Sequence, residues 1–338
     1  MAAALFGVSA PLAKLLLLDT GPLMLAALLY LGGGLGLAIA GWLGRTRARS
    51  HEARVRSSDA GYLAGIIVLG GVVGPVLMLY GLERVSGVAG SLLLNLEAPF
   101  TMVLALLLFK EHLGRRGALA AALIVSGAVV LGYGPGELRA QATGVLAIAG
   151  ACLGWAVDNN LTQRLSLRDP IVVVRIKALG SATCTLGLAQ ATGHSLPPLK
   201  VLVPALVVGA ACYGLSIVLD MYALRILGAA REAAFFATAP FMGAVAAIPL
   251  LGERPGVSHF FAATLMGLGI FLLVRERHGH LHAHDEVEHD HAHVHDEHHQ
   301  HEHEGSETPG EPHAHPHRHA PLAHDHPHVP DLHHRHRH

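Results

Sequence analysis

The chain has 338 residues, of which 51% are hydrophobic and only 14% charged, against about 25% charged in an average soluble domain, so an ordinary soluble globular protein is disfavoured. The formal net charge of −1 averages two opposite populations. The last 61 residues hold 23 of the 27 histidines and 12 of the 25 acidic residues against three arginines, a net −9, whereas residues 1–277 carry +8.

In residues 1–277, apolar runs of about 20 residues follow one another with short breaks, the length a helix needs to cross ~30 Å of hydrocarbon. Ten candidate spans fall near residues 2–18, 22–43, 61–82, 86–108, 116–134, 144–162, 171–192, 202–224, 232–251 and 257–274. Gly21-Pro22, Gly134-Pro135-Gly136, Pro197-Pro198 and Pro255-Gly256 supply the breaks, and only residues 44–60 form a sizeable polar loop. The first run lacks a basic leader and a small-residue cleavage pattern and contains Pro11 and Lys14, so it reads as a short first span rather than a removable signal peptide. Cys152, Cys184 and Cys212 all lie in apolar runs without C-x-x-C spacing, which indicates neither a disulfide framework nor a zinc site.

Basic residues near span ends resist translocation. With a cytoplasmic N-terminus, 14 Lys and Arg, among them Arg45, Arg115, Arg168 and Arg275, fall on the cytoplasmic side, against Arg84, Arg139, Lys200 and Arg254 opposite. Both termini are therefore expected inside, in an inner cell membrane crossed an even number of times.

The chain also repeats itself. Residues 80–113 contain Tyr80-Gly81-Leu82, then Glu97-Ala98-Pro99-Phe100, then Glu111. Residues 222–255 contain Tyr222-Ala223-Leu224, then Thr238-Ala239-Pro240-Phe241, then Glu253. A weaker echo pairs Ala4-Leu5-Phe6-Gly7 with Ala151-Cys152-Leu153-Gly154. A repeat of five spans is odd, so the second copy enters the membrane inverted, the arrangement typical of secondary transporters with a midplane site.

Ten spans as five plus five, with a Glu closing the fourth and the ninth, resemble the EamA-type members of the drug/metabolite transporter superfamily over essentially all of residues 1–277; the short first span departs from the usual pattern. The resemblance implies an all-α membrane protein with repeats over 1–134 and 135–277, a central cavity lined by spans 1 to 4 and 6 to 9, a monomer or loose homodimer, and export or exchange of small solutes. Such a protein is not an enzyme, and its partners are the lipid bilayer and a small-molecule solute, with no nucleic acid.

Ionisable groups within a span cost about 2.5–3.5 kcal/mol each on insertion scales and mark pathways or partners. Glu97, with Asn95 before it and Pro99 after, stands where a proline removes a backbone hydrogen bond and favours a kink, and Pro240 recurs in the second copy. Glu97 is either a solute or proton site or a structural acid held by a neighbouring span. Asp158 and Asn159 head a polar cluster in span 6, read either as a site or as a hydrated helix end. Asp220 in span 8 is placed to pair with Lys14, Arg175 or Lys177. Lys14 either faces the cavity or snorkels, and Tyr80 and Tyr222 are either cavity phenols or interfacial anchors. Glu111 and Glu253 are expected to hold adjoining loops, and Gly32/Gly36, Gly70/Gly74 and Gly150/Gly154 to pack helices. No G-x-x-x-x-G-K-[ST], His-Glu-x-x-His or Gly-x-Ser-x-Gly motif occurs, which disfavours ATP-driven transport and hydrolysis.

Residues 278–338 are low-complexity, too polar to bury a core, and expected to be disordered. Their imidazoles and carboxylates suit Zn²⁺, Ni²⁺, Co²⁺ or Cu²⁺ in weak exchanging sites. The ligand candidates are His280, His282, His284, His289, His291, His293, His295, His298, His299, His301, His303, His333, His334, His336 and His338; titration near neutral pH offers a competing role for the same tail. Within the body only His51, His112, His194 and His259 occur, all at loops or span ends, so a metabolite or drug-like solute is favoured over a metal as cargo. Two alternatives stay open: a metal transporter fed by the tail, and a non-transporting metal buffer or sensor.

Overall fold

The computed structural model describes residues 1–44, 54–109, 114–133, 138–165, 168–227 and 235–275, together with the backbone of four tail segments. Among the described residues, the body is a bundle of ten apolar helices: α1 (Ala2–Leu16), α2 (Pro22–Gly44), α3 (Ser57–Leu82), α4 (87–109), α5 (Arg115–Gly132), α6 (Leu138–Leu165), α7 (Pro170–Ala191), α8 (199–227), α9 (Ala239–Leu251) and α10 (Val257–Val274). Eight are long and apolar enough to cross a membrane, while α1 and α9, with 15 and 13 residues, are shorter. At 1.5 Å per residue these two reach about 22 and 20 Å, less than the ~30 Å of hydrocarbon.

Local chemistry sets the helix ends. Pro22 begins α2 where its missing N–H costs nothing. The Asp169 carboxylate accepts the N–H groups of Ile171 and Val172 at 2.9 and 3.3 Å, with Pro170 opening α7. Gly252, at φ 65°, ends α9 in the left-handed region that glycine adopts freely. The ninth helix, expected over 232–251, begins at Ala239, with Pro240 in its first turn; residues 237–238 form a turn after helical 235–236, and 231–234 lie outside the described residues. The sixth is longer than expected, extending past both ends of 144–162.

Three helices depart from α geometry. In α3, Ile66–Val73 is π-helical, as is Gly209–Leu215 in α8. Such widened turns free backbone carbonyls and occur often at functional sites. In α4 a 3₁₀ turn, Leu94–Leu96, precedes Glu97, which is where the irregularity expected beside Pro99 appears.

The packing partners are α2 with α7, α5 with α10, α4 with α9, α1 with α9, α4 with α6, α3 with α6, α1 with α8, α3 with α7 and α2 with α8. Small residues permit the close crossings, as expected in lipid, where packing rather than water drives association. A Cβ on Gly7 of α1 would collide with the Ala239 carbonyl of α9, and one on Gly32 of α2 with the Leu206 backbone of α8.

In the tail, His278–His284 pairs antiparallel with Leu322–His328, and Val287–His293 with His313–His319. Alternating His and small residues fit a period-2 backbone, yet an isolated two-stranded pair is marginal in water.

Candidate functional site

The site is built on consecutive residues of α6. Asp158 and Asn159 project about 100° apart on a helix, so one faces α3 and α7 while the other faces α4. The Asp158 carboxylate accepts from Lys177 Nζ of α7 at 2.5 Å, and both residues are nearly sealed, at 4% and 8% exposure. Thr162, one turn on, donates to Asp158 Oδ1 at 3.5 Å. This pair lies inside the bundle, so the hydrated helix-end reading does not describe Asp158.

Room for the pair comes from the π-helical turn of α3. A Cβ on Gly70 would overlap the Asp158 carboxyl group, and one on Gly71 would overlap Ser181 Oγ. The carbonyls that the turn releases are used: Gly70 O accepts from Tyr30 Oη at 2.9 Å and from Trp155 Nε1 at 3.0 Å, and Ile67 O accepts from Ser181 Oγ at 3.3 Å. Buried donors and acceptors thereby find partners, as they must in low dielectric. An aromatic cluster adjoins this node, with Phe6 in contact with Trp155, Tyr213 and Phe236 at centroid distances of 6.4, 6.4 and 5.2 Å, and Tyr30 against Tyr213 at 5.5 Å.

The other side of α6 differs. Asn159 is exposed, and its Nδ2 donates to Glu97 Oε1 of α4 at 2.5 Å; Glu97 is half-buried. The charges of Asp158, Asp220 and Lys177 also act on Glu97, so three carboxylates and one ammonium share this part of the bundle. A half-open carboxylate beside a sealed ion pair can take up a proton or a polar solute group while the sealed pair keeps its geometry.

Asn95 is buried, its Nδ2 donating to Leu92 O at 2.9 Å, and among the described residues its Oδ1 has no hydrogen-bond partner. Pro99 is buried in the turn after Glu97 and has no N–H to give the Asn95 carbonyl. Pro240 is buried in the first turn of α9. Asp220 is half-buried in α8; of the cations expected beside it, Lys14, Arg175 and Lys177, the last is paired with Asp158, and Lys14 binds the carbonyls of Leu82 and Val85 at 2.5 and 2.6 Å. Tyr80 is not brought to the cluster. It is 42% exposed under the Arg84 guanidinium, 3.4 Å from its ring centroid. Tyr222 packs with Leu37, Val174, Val218 and Met221.

Sequence reasoning passed over Tyr30 and Trp155 and assigned Gly70/Gly74 to helix packing; in the structure Gly70 makes room for the Asp158 carboxyl and Gly74 for the Trp155 ring, where α3 packs on α6. Adjacent small residues facing a polar helix were the available signal. His51, His112 and Glu111 lie outside the described residues, as do the side chains of every tail histidine. Among the described residues no group of three His, Cys, Asp or Glu is placed to hold a metal, and the three cysteines are free.

Comparison with known proteins bears on this arrangement. The model of the EamA-like transporter family matches twice, over residues 1–133 and 142–275. An uncharacterized transporter of Methanothermobacter thermautotrophicus is 31% identical over 285 residues, covering 79% of this chain and 82% of its own. A solved crystal structure, 20% identical, matches with a TM-score of 0.59 over 81% of this chain and 94% of that one, a likeness of fold alone. With two family matches that span nearly the whole helical body, the chain belongs to the EamA-like transporter family, a family of multi-pass membrane transporters.

Proposed function

We propose that this membrane transporter is a secondary carrier exporting a small metabolite or drug-like solute, and that the solute and a coupling proton meet at Glu97, Asn159 and the neighbouring Asp158–Lys177 pair. The observation that carries this reading is the 2.5 Å contact between Glu97 of α4 and Asn159 of α6, which joins residues from the two family matches at a partly open point among apolar helices. The cost of leaving an ionisable group there favours a working role over a decorative one. Asn95, Pro99, Asp220, Tyr222 and Pro240 are supporting members; Lys14, bound to the carbonyls of Leu82 and Val85, and Tyr80 stand apart from the site.

The two halves, 1–134 and 135–277, are read as inverted five-helix repeats. Packing supports the symmetry. Exchanging α1–α5 for α6–α10 maps α3–α6 onto α8–α1, α4–α6 onto α9–α1 and α3–α7 onto α8–α2, leaves α2–α7, α4–α9 and α5–α10 unchanged, and carries one π-helical turn onto the other. The Lys and Arg distribution favours an inner membrane with both termini cytoplasmic. The tail, 278–338, is a metal-binding appendage for Zn²⁺, Ni²⁺, Co²⁺ or Cu²⁺ at the cytoplasmic mouth, regulatory rather than a conduit.

The test is solute-evoked proton movement and ⁶⁵Zn²⁺ flux in proteoliposomes, comparing the full chain with one ended at Arg277. Proton movement evoked by amino acids or drugs in both forms, without zinc flux, is the expected result. Zinc flux lost on truncation would replace this reading with a metal transporter fed by its tail.

A further inference from the structure

The corner between α3 and α4, far along the bundle from Asp158, is held by charged side chains from other helices. Lys14 Nζ of α1 donates to the carbonyls of Leu82, the last residue of α3, and Val85, in the turn that follows, at 2.5 and 2.6 Å. The Glu253 carboxylate, just past α9, accepts the N–H groups of Gly87 and Val88, the first of α4, at 2.5 and 2.9 Å. The cation thus sits at a helix C-terminus and the anion at a helix N-terminus, the sense each macrodipole favours, and Glu253 and Glu83 also act on the Lys14 charge. A third tie comes from α10. Gly256 N–H donates to His259 Nδ1 at 3.2 Å, leaving the Nε2–H to donate to Ser86 Oγ at 3.2 Å; Ser86 Oγ also accepts from Ala89 N–H at 3.0 Å. One turn of the first half is therefore clasped by α1, α9 and α10, with Val88 beneath it at 4% exposure. Charges that neutralise backbone ends rather than each other can be released without stranding a buried ion pair.

We propose that this corner is a gate clasp, in which Lys14 and Glu253 close the mouth of the bundle at the α3–α4 turn and let go when that mouth opens. The proposal rests on the carrier reading above. By the Lys and Arg distribution this mouth is the non-cytoplasmic one.

The experiment places a single cysteine at Val88 in the full chain, with Cys152, Cys184 and Cys212 replaced by Ala, and measures labelling by a membrane-impermeant maleimide from each face of oriented vesicles. Labelling is expected to be slow with the clasp intact and at least about tenfold faster in K14M and in E253Q, from one face only. E253D, with its carboxylate withdrawn by one methylene, is expected to fall between and serves if E253Q does not fold. Unchanged labelling in folded variants would overturn the clasp, and so would acceleration from both faces with a lowered melting temperature. Loss of the Glu97 dependence of transport would overturn the solute site while leaving these rates intact, so the two readings fail separately.

Discussion

Asp158 and Asn159 are neighbours on one helix and live in different surroundings. Asp158 is sealed against Lys177 and the glycines of a widened turn, whereas Asn159 reaches outward to a half-buried Glu97. The contrast separates two jobs that an intramembrane carboxylate can do. A sealed pair whose partners are all protein atoms fixes helices relative to one another, and breaking it leaves a buried charge. A carboxylate with an amide partner and an open side can exchange that partner for a solute or a proton.

The largest predicted effect breaks the sealed side. K177M leaves Asp158 without its counter-ion and is expected to cost about 3–5 kcal/mol, read as a fall in melting temperature in detergent; D158N combined with K177M should recover much of it, because no unpaired charge remains. Next, G70A drives a methyl group into the Asp158 carboxyl group and should destabilise by about 1–3 kcal/mol through overpacking, whereas G187A, where a Cβ would meet nothing within 4 Å, should not. W155F removes one of two donors to the Gly70 carbonyl and is expected to cost about 0.5–1.5 kcal/mol in the same melt. On the open side, E97Q should leave the melting temperature nearly unchanged, because glutamine still offers an oxygen to Asn159 Nδ2, and should abolish coupled transport.

Much of this contrast was legible in the sequence. Apolar run length located the helices, because a membrane span carries its own length requirement, and the rarity of charge inside such runs singled out Glu97, Asp158 and Asp220. The Asp158–Lys177 pairing was not legible: Lys177 stands beside Arg175 in an apolar run, and nothing periodic tells which acid a buried lysine meets across a turn and 19 residues. Tyr80 and Tyr222 were matched through the repeat, yet equivalent places in two copies meet different neighbours, an arginine in one and an apolar cluster in the other. The roles of Gly70 and Trp155 depended on a π-helical turn, which leaves little trace in composition. Glu253 was expected to hold the loop beside it; its two backbone contacts are to the first N–H groups of α4, a distant partner that spacing in the sequence does not reveal.

The most direct measurement is solute-evoked proton movement in proteoliposomes carrying the full chain or E97Q, with melting temperatures taken on the same preparations. The account predicts that E97Q melts with the parent chain and moves no protons with any solute that the parent carries. Proton movement at the parent's rate in a folded E97Q would contradict it.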